Sequence, residues 1–507
     1  MRLLAATALL LGALAGTPAA AQSTVATHYF YWYRWPDEHF QAGHPGREGH
    51  RRHFPQPERV SYLDARWHRA QFRAMAACGI DVALPVYWGA PGAYERPSLR
   101  FSRAGLQPMV EALDSLAAAD LKGVRLGLFY DTSTLLCDVR GVPPRGGRAD
   151  LRTAKGKRLF CRTVTDYFDA LPRRLWARLG GRALVVLYSS DFAAGWDATL
   201  GPALREAFVT RFDPEGVFLV ADASWGDIGQ DRTTSWGAAL AGPRLFDGVA
   251  QIGPGYDDSP VPGRRTPIRE REGGAFYGRS WRRAVLSEPE LVLIETWNEM
   301  HEGTEICETR ELGTTYADLT REWIRRLRSG DAGPPIELRF PAPRPRPDHT
   351  WGTEAAGVEE LSCVFDGDPA RRLGLRELAW EDGPLRLADG RLHSEGGTAP
   401  RYVYFQVSDH WAFDTERDLE LLVDCDPGPA RLRLEYDSHD GGATLSGSYT
   451  TVEAGAREGA RGGVLFVFAL PRARLANRQN GGADLRLCPP GSALAIRGVR
   501  LRRRPAD

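Results

Sequence analysis

Lysine is almost missing from this chain. Its 507 residues carry it only at Lys122, Lys155 and Lys157, and arginine supplies the rest of a basic total of 65 that 65 acidic residues cancel. A balanced charge sets up no field to draw in nucleic acid or an anionic membrane surface, so the expected partner is neutral. Beyond residue 21 no apolar run approaches the roughly 20 residues of a membrane-spanning helix, and no span is expected. Cysteine is sparse and odd in number, at 7, and no two lie at the short spacing of a zinc site. The nucleophile-elbow pattern G-x-S-x-G, the two-histidine helix motif of zinc proteases and a glycine-rich phosphate loop after the first strand are all absent. Neither metal nor cofactor is expected.

What is present begins with a leader. MRLLAATALLLGALAGTPAAAQ has a charged start at Arg2, an apolar run from Leu3 to Ala15 and small residues at Ala19, Ala20 and Ala21. That pattern predicts a secretory signal peptide over residues 1–21, cut after Ala21, and hence a secreted or periplasmic protein. An odd cysteine count in an exported chain leaves at least one thiol unpaired. Cys137 with Cys161, and Cys425 with Cys488, are the candidate disulfides, while Cys78 reads as a small buried hydrophobe.

From residue 22 to about residue 332, short apolar runs alternate with longer amphipathic ones. ATHYFYWY, IDVALPVYW, VRLGLFYD, ALVVLYS, GVFLVAD, DGVAQIG and LVLIETW read as strands, with TSWGAAL a weaker eighth. LDARWHRAQFRAMAACG, LQPMVEALDSLAAADL and TTYADLTREWIRRLRSG between them carry apolar residues three or four apart, the helical period. Repeated strand and helix over this length predicts an α/β fold, a (β/α)8 TIM barrel. Residues 333–350 form a proline-rich linker. In residues 351–507 helical periodicity gives way to short alternating runs broken by Gly, Pro and Asp, which predicts an all-β sandwich.

Barrel active sites gather at the C-terminal ends of the strands, and here those ends are rich in aromatics and acids: Tyr31-Trp32-Tyr33, Tyr87-Trp88, Tyr130-Asp131, Asp222 with Trp225 beyond it, and Tyr256-Asp257-Asp258. Side chains alternate along a strand, so Tyr29, Tyr31 and Tyr33 share one face and Phe30 and Trp32 the other. The three phenols are expected to line a wet barrel mouth and the apolar pair to pack under the helices. The last strand runs into IETWNEMHEGTEI, Ile294 to Ile306. Glu299 and Glu302 would face opposite sides of a continuing strand, so to cooperate they need a turn, for which Gly303 permits a sharp exit. Carboxyl groups about 5 to 5.5 Å apart serve retaining glycoside hydrolysis and pairs about 6.5 to 9.5 Å apart serve inversion. Two acids that close also split their pKa values, leaving one able to donate a proton near neutrality. A metal cluster of His301 with the neighbouring glutamates, and a purely structural acid cluster at a helix start, are the rival readings.

WNEMHEGTEI resembles the Asn-Glu-x-His-Glu-Gly-Thr motif of the endo-α-mannosidase family of glycoside hydrolases, family 99. GPGYDD followed by GRRTPIRERE and GAFYGRSW resembles the segment preceding it there, and FYWY and CGIDVALPVYWG match the family in order and spacing. With FYDTS and SWGAAL included, the set is closest to a sister group of secreted bacterial proteins of largely unassigned activity. It covers about residues 25 to 330. The resemblance implies a retaining mechanism in which Glu299 takes the proton of the sugar's own 2-hydroxyl to give a 1,2-anhydro sugar. Glu302 would protonate the departing oxygen and then deprotonate water. It also implies that Tyr256 sits beside the 2-hydroxyl and that Tyr31, Tyr33, Trp88 and Asp131 shape the sugar subsites. Trp225, Asp257, Asn298 and His301 complete the expected substrate contacts. Met300 stands where the mannosidases usually carry tryptophan, and EICETREL departs from their continuation.

The function expected is a secreted retaining α-glycoside hydrolase, mannosidase-like and of possible endo action, with a polysaccharide or glycan as partner. The alternatives are an inverting glycosidase with Glu302 as acid and Asp131 or Asp257 as base, acting on an α-glucan or exopolysaccharide, and a non-catalytic carbohydrate-binding protein. The turn signal Asn480-Gly481-Gly482 resembles β-sandwich accessory domains of secreted carbohydrate-active enzymes.

Overall fold

The structure, a computed structural model, describes residues 23–504 except 41–49, 145, 262–263, 265, 341–342, 369–370, 381–382, 384, 395–401, 446 and 491–492. The predicted leader lies outside the described residues.

Eight parallel strands form the first layer: β1 (Thr24–Tyr29), β2 (Val82–Tyr87), β3 (Leu128–Tyr130), β4 (Arg182–Leu187), β5 (Val217–Asp222), β6 (Arg232–Thr234), β7 (Val249–Ile252) and β8 (Leu291–Ile294). They neighbour one another in chain order from β1 to β6, and β8 closes back onto β1, with β7 beside it. Among the described residues no backbone pairing joins β6 to β7, whose free edge is taken by the antiparallel strand Arg244–Phe246, and a side-chain hydrogen bond from Thr234 to Gln251 spans this seam. The sheet is therefore a barrel closed on itself but for one seam. β2, β5, β7 and β8 are buried at every residue, as parallel strands covered on both faces must be, which is why they read as unbroken apolar runs.

Around the sheet lie α1 (Ala65–Cys78), α2 (Arg100–Ala104), α3 (Leu106–Ala118), α4 (Ala154–Asp169), α5 (Leu200–Phe212), α6 (Ala238–Ala241), α7 (Ala275–Leu286) and α8 (Thr315–Ser329). Local chemistry sets their ends. Asp64 caps α1 by accepting from Arg66 N, and Gly79, at φ +88°, ends it. No α-helix separates β5 from β6, only the 3-10 turn Ala223–Trp225. This corrects the expected eighth strand: RTT forms it, and the WGAAL of TSWGAAL turns out of the barrel into α6.

The strand-parity expectation for β1 was right about which residues share a face and wrong about which face is wet. Tyr29 and Tyr31 point outward to the helices, where the Tyr29 hydroxyl pairs with His68 Nδ1 of α1 at 2.8 Å and the Tyr31 hydroxyl donates to the Ser102 carbonyl of α2 at 2.8 Å. Phe30 and Trp32 instead line the cavity at the barrel mouth. Buried phenols need partners for their hydroxyls, and helix residues supply them where the barrel interior offers none.

Beyond residue 350 two antiparallel sheets enclose one core. One contains Glu360–Val364, Ala495–Arg503, Arg417–Cys425 and Val464–Ala473, and the other Leu375–Leu378, Val403–Val407, Leu485–Cys488, Arg431–Tyr436 and Thr450–Gly455. Leu421 and Phe468 of the first sheet meet Phe405 and Leu434 of the second in that core. The expected disulfides are not formed: all 7 cysteines are free and buried. Cys425 and Cys488 belong to different sheets. Cys161 packs on the core face of α4, while Cys137 opens a separate four-residue α-helical segment, Cys137–Arg140.

Candidate active site

The chain leaves β8 at Ile294 and turns through Met300 to Gly303. Two threonines close the loop: Thr296 N donates to Thr304 O at 3.0 Å, and their hydroxyls pair at 3.0 Å. Thr296 Oγ1 also accepts from Glu299 N at 2.8 Å, fixing the start of the turn. Gly303 sits at φ +59°, and a Cβ there would lie 3.0 Å from the Asp257 carbonyl, so both its conformation and its surroundings exclude a side chain. The turn demanded by two acids three residues apart is thus built by Thr296, Thr304 and Gly303.

Of the four acids, two work inside the wall. Both oxygens of Glu295 accept from the start of α6, Oε1 from Gly237 N (2.9 Å) and Ala238 N (3.1 Å) and Oε2 from Ala239 N (2.9 Å). Burial drives its pKa up to about 7 against these hydrogen bonds. Glu305 is fully buried between Arg52 and Arg271, both of which also donate to the Gly303 carbonyl, at 2.8 and 2.9 Å. Glu295→Ala strands three backbone donors, two of them buried, at about 1–3 kcal/mol for each buried one. It is expected to cost about 3 kcal/mol or more of stability, read as a lowered urea midpoint.

The other two face a cavity of about 370 Å³. Glu299 Oε1 accepts from His301 N (3.1 Å) and His301 Nδ1 (2.7 Å), while its Oε2 is buried with no hydrogen-bond partner among the described residues. An imidazole that donates from Nδ1 holds the carboxylate as an acceptor and fixes its rotamer. Glu302 is reached by solvent, with 21% of its side chain exposed, and pairs with Arg264 Nη1 at 2.7 Å. Burial first, and then the Glu299 charge, push its pKa upward against the pull of Arg264. The pair therefore divides its labour: one acid fixed and accepting, the other accessible and inclined to keep a proton.

Aromatic rings wall this cavity. Trp88 Nε1 donates to Asp131 Oδ2 at 2.5 Å, and both line the cavity with His301. Burial raises the Asp131 pKa against its hydrogen bonds from Ser133 and Trp88. Trp236 stacks on Phe129 with centroids 5.4 Å apart, and Tyr188 meets it edge on.

The remaining expected substrate contacts lie behind the wall or beside it. Tyr31 is committed to Ser102. Tyr33 is buried, its hydroxyl donating to Asn298 O (3.1 Å) and accepting from Met300 N (3.0 Å), its ring stacked on His301 at 5.7 Å. Asn298 spends its amide on the Phe30 backbone, at 2.8 and 2.7 Å, locking the motif to the end of β1. Trp225 is buried against Phe160 and Trp196 and donates to Tyr188 O at 2.6 Å, so it braces the wall and does not line the cavity. Asp257 pairs with Arg51 at 2.8 Å. Burial would raise its pKa, but hydrogen bonds from Ser259 and Arg51 outweigh that and lower it. Tyr256 is close enough for the Glu302 charge to raise its pKa after burial, and its hydroxyl donates to Asp258 Oδ2 at 3.1 Å.

Sequence reasoning missed Arg264, Tyr188 and Trp236. Tyr188 directly follows β4, a strand the sequence did show, and Trp236 lies two residues past β6, so the strand-end rule that found Trp88 and Asp131 reaches the first as it stands and the second once β6 is placed correctly.

A parallel barrel carrying acids and aromatics at the C-terminal ends of its strands has the layout of a barrel enzyme. The chain belongs to the family described as Domain of unknown function (DUF5010), whose model matches residues 10–331. Short stretches of it are also similar in sequence to endo-α-mannosidases. A glycoprotein endo-alpha-1,2-mannosidase-like protein of Mus musculus is 32% identical over 90 residues, 15% of this chain and 20% of its own. The glycoprotein endo-alpha-1,2-mannosidase of Rattus norvegicus is 28% identical over 109 residues, 18% and 24%. These matches span a quarter or less of the curated relatives' length. Among solved structures, the GH99 endo-alpha-mannosidase of Bacteroides thetaiotaomicron aligns at 17% identity and a TM-score of 0.44, over 60% of this chain and 98% of its own.

Proposed function

We propose that this protein is an exported retaining α-glycoside hydrolase, acting on a neutral polysaccharide or glycan whose reacting sugar carries a 2-hydroxyl trans to the leaving group, as an α-mannoside does. The observation that carries this is the meeting of Glu299 and Glu302 on one cavity wall in complementary states. Glu299, oriented by His301, has an oxygen without a partner among the described residues with which to accept a proton, and Glu302 is accessible and biased toward holding one. In the forward step Glu299 Oε2 takes the 2-hydroxyl proton, O2 attacks the anomeric carbon, and Glu302 gives its proton to the departing oxygen. Water then opens the 1,2-anhydro ring as Glu302 takes a proton from it and Glu299 returns one to O2. The rings of Trp32, Trp88 and Trp236 offer apolar faces for sugar stacking. Export fits a barrel whose first strand starts at Thr24, just past the expected cleavage after Ala21.

The reading is tested by incubating the purified protein with α-mannans, α-glucans and bacterial exopolysaccharides, with Glu299→Gln as the blank. New reducing ends from at least one α-linked substrate, absent in the blank, are expected. Binding without cleavage across the panel would instead mark a carbohydrate-binding protein.

A further inference from the structure

The proline-rich segment after α8 is not a free spacer. Arg344 exchanges both backbone hydrogen bonds with Ile268, each 2.7 Å, and the next residue, Arg269, does the same with Tyr256, at 3.0 and 2.9 Å. The tail is thereby laid alongside the loop that follows β7. Two residues on, Arg346 sends Nη1 to Asp258 Oδ1 at 2.7 Å, and its carbonyl accepts from Asn477 Nδ2 of the second region at 3.2 Å. Asp258 is fully buried. Its other oxygen accepts from Thr266 Oγ1 at 2.7 Å and Tyr256 OH at 3.1 Å, and lies 3.8 Å from Arg264 Nη1, the atom that holds Glu302 at 2.7 Å. Four side chains thus form a row of alternating charge, Arg346, Asp258, Arg264, Glu302, that starts outside the barrel and ends at the proposed proton donor.

We propose that Arg346 is a positioning residue for the active site: by neutralising Asp258 it leaves Arg264 to Glu302, so the chain beyond the barrel tunes the proton donor. A buried carboxylate deprived of its partner charge seeks another cation, and the nearest to Asp258 is Arg264. Without Arg346, Arg264 is drawn toward Asp258, Glu302 loses the charge that favours its ionised form, and its affinity for a proton rises. The other groups facing Glu302 are Glu299 on its own loop, Tyr256 and Asp258 on the loop after β7, and Tyr188 after β4. Asp131, His39 and His301 line the same cavity, and among the described residues Arg264 is the one arginine or lysine that does so.

The inference rests on Glu302 being the proton donor of the proposed hydrolase, and its test reads Glu302 directly. In the full-length protein, carbodiimide labelling of the Glu302 peptide followed by mass spectrometry against pH gives the midpoint at which the carboxyl loses its proton, with Glu302→Gln identifying the site. Arg346→Met is expected to raise that midpoint by about one pH unit. Arg346→Gln, which keeps a hydrogen-bond donor for Asp258 but not the charge, is expected to do the same, and Arg346→Lys to leave it near the wild-type value. Adding Asp258→Asn to Arg346→Met removes the stranded charge and is expected to bring the midpoint back, a reversal that mere loosening of the fold would not give. An unchanged midpoint in folded Arg346→Met or Arg346→Gln, or no reversal in the double variant, overturns the proposal. Hydrolysis with an unmoved midpoint would sink this inference alone, whereas a moved midpoint in a protein that cleaves no glycoside would sink the assigned reaction and leave the charge row standing.

Discussion

Glu302→Gln is expected to lower turnover of an alkyl or glycosyl α-glycoside by about 10²–10⁴-fold, the usual worth of a positioned general acid. The loss should depend on the leaving group. An alkoxide departs only with a proton, so the amide at residue 302 stops the first step. A strongly acidic phenol departs without one, so an aryl glycoside of that kind should keep most of its first-step rate and then stall at ring opening, where Glu302 is needed as a base. Azide needs no base to attack, and it should restore turnover of the aryl glycoside as a glycosyl azide. The alkaline limb of the kcat/KM profile, set by the protonated fraction of Glu302, should vanish in the variant. Full turnover of an alkyl glycoside by Glu302→Gln would remove Glu302 from the mechanism.

Such leaving-group dependence is expected because the structure gives Glu302 features its neighbours lack. It alone of the four acids after β8 has a carboxyl reached by solvent while facing the cavity, and it alone pairs with a half-exposed arginine. Glu295 and Glu305 carry the same charge in the same thirteen residues but spend it on backbone donors and buried guanidinium groups. Glu295, with both oxygens taken, builds the loop, and Glu305, whose Oε1 holds Arg52 and Arg271, is buried outside the cavity lining, so neither carboxylate reaches a substrate.

These differences mark how far sequence alone reaches. Apolar runs such as LVVL and VFLVA announced the barrel strands because parallel strands buried on both faces leave no polar positions to blur the pattern. Parity likewise grouped Tyr29 with Tyr31 and Phe30 with Trp32. It could not say which group faces the cavity, since that depends on His68 and Ser102, contributed by helices far along the chain. The three-residue strand Arg232–Thr234 was hidden by its length and by the missing helix before it. Arg264 and Arg346 were unreadable for another reason. Among so many arginines, a charge row linking residues 258, 264, 302 and 346 exists only once the tail is laid beside the loop after β7.

Glu299→Gln is expected to cost at least as much as the loss of Glu302, about 10²–10⁴-fold or more, but without rescue by an acidic leaving group or by azide. Its proposed partner is the substrate's own 2-hydroxyl, and no choice of aglycone replaces a base acting on O2. The same logic extends to the substrate: a 2-deoxy analogue should be inert with the wild-type enzyme, because the nucleophile itself is gone. Proton NMR of the first sugar released from the normal substrate should show the α-anomer, as two successive inversions at the anomeric carbon require. The competing route would use Asp131, which lines the same cavity, to activate water directly. Asp257 is a weaker candidate, since Arg51 and Ser259 hold it outside the cavity wall. On that route the 2-deoxy substrate is cleaved, the first product is the β-anomer, and Asp131→Asn, not Glu299→Gln, is the variant without activity. The geometry favours Glu299, because one of its oxygens has no partner among the described residues, whereas Asp131 gives both of its oxygens to Trp88 and the Ser133 backbone.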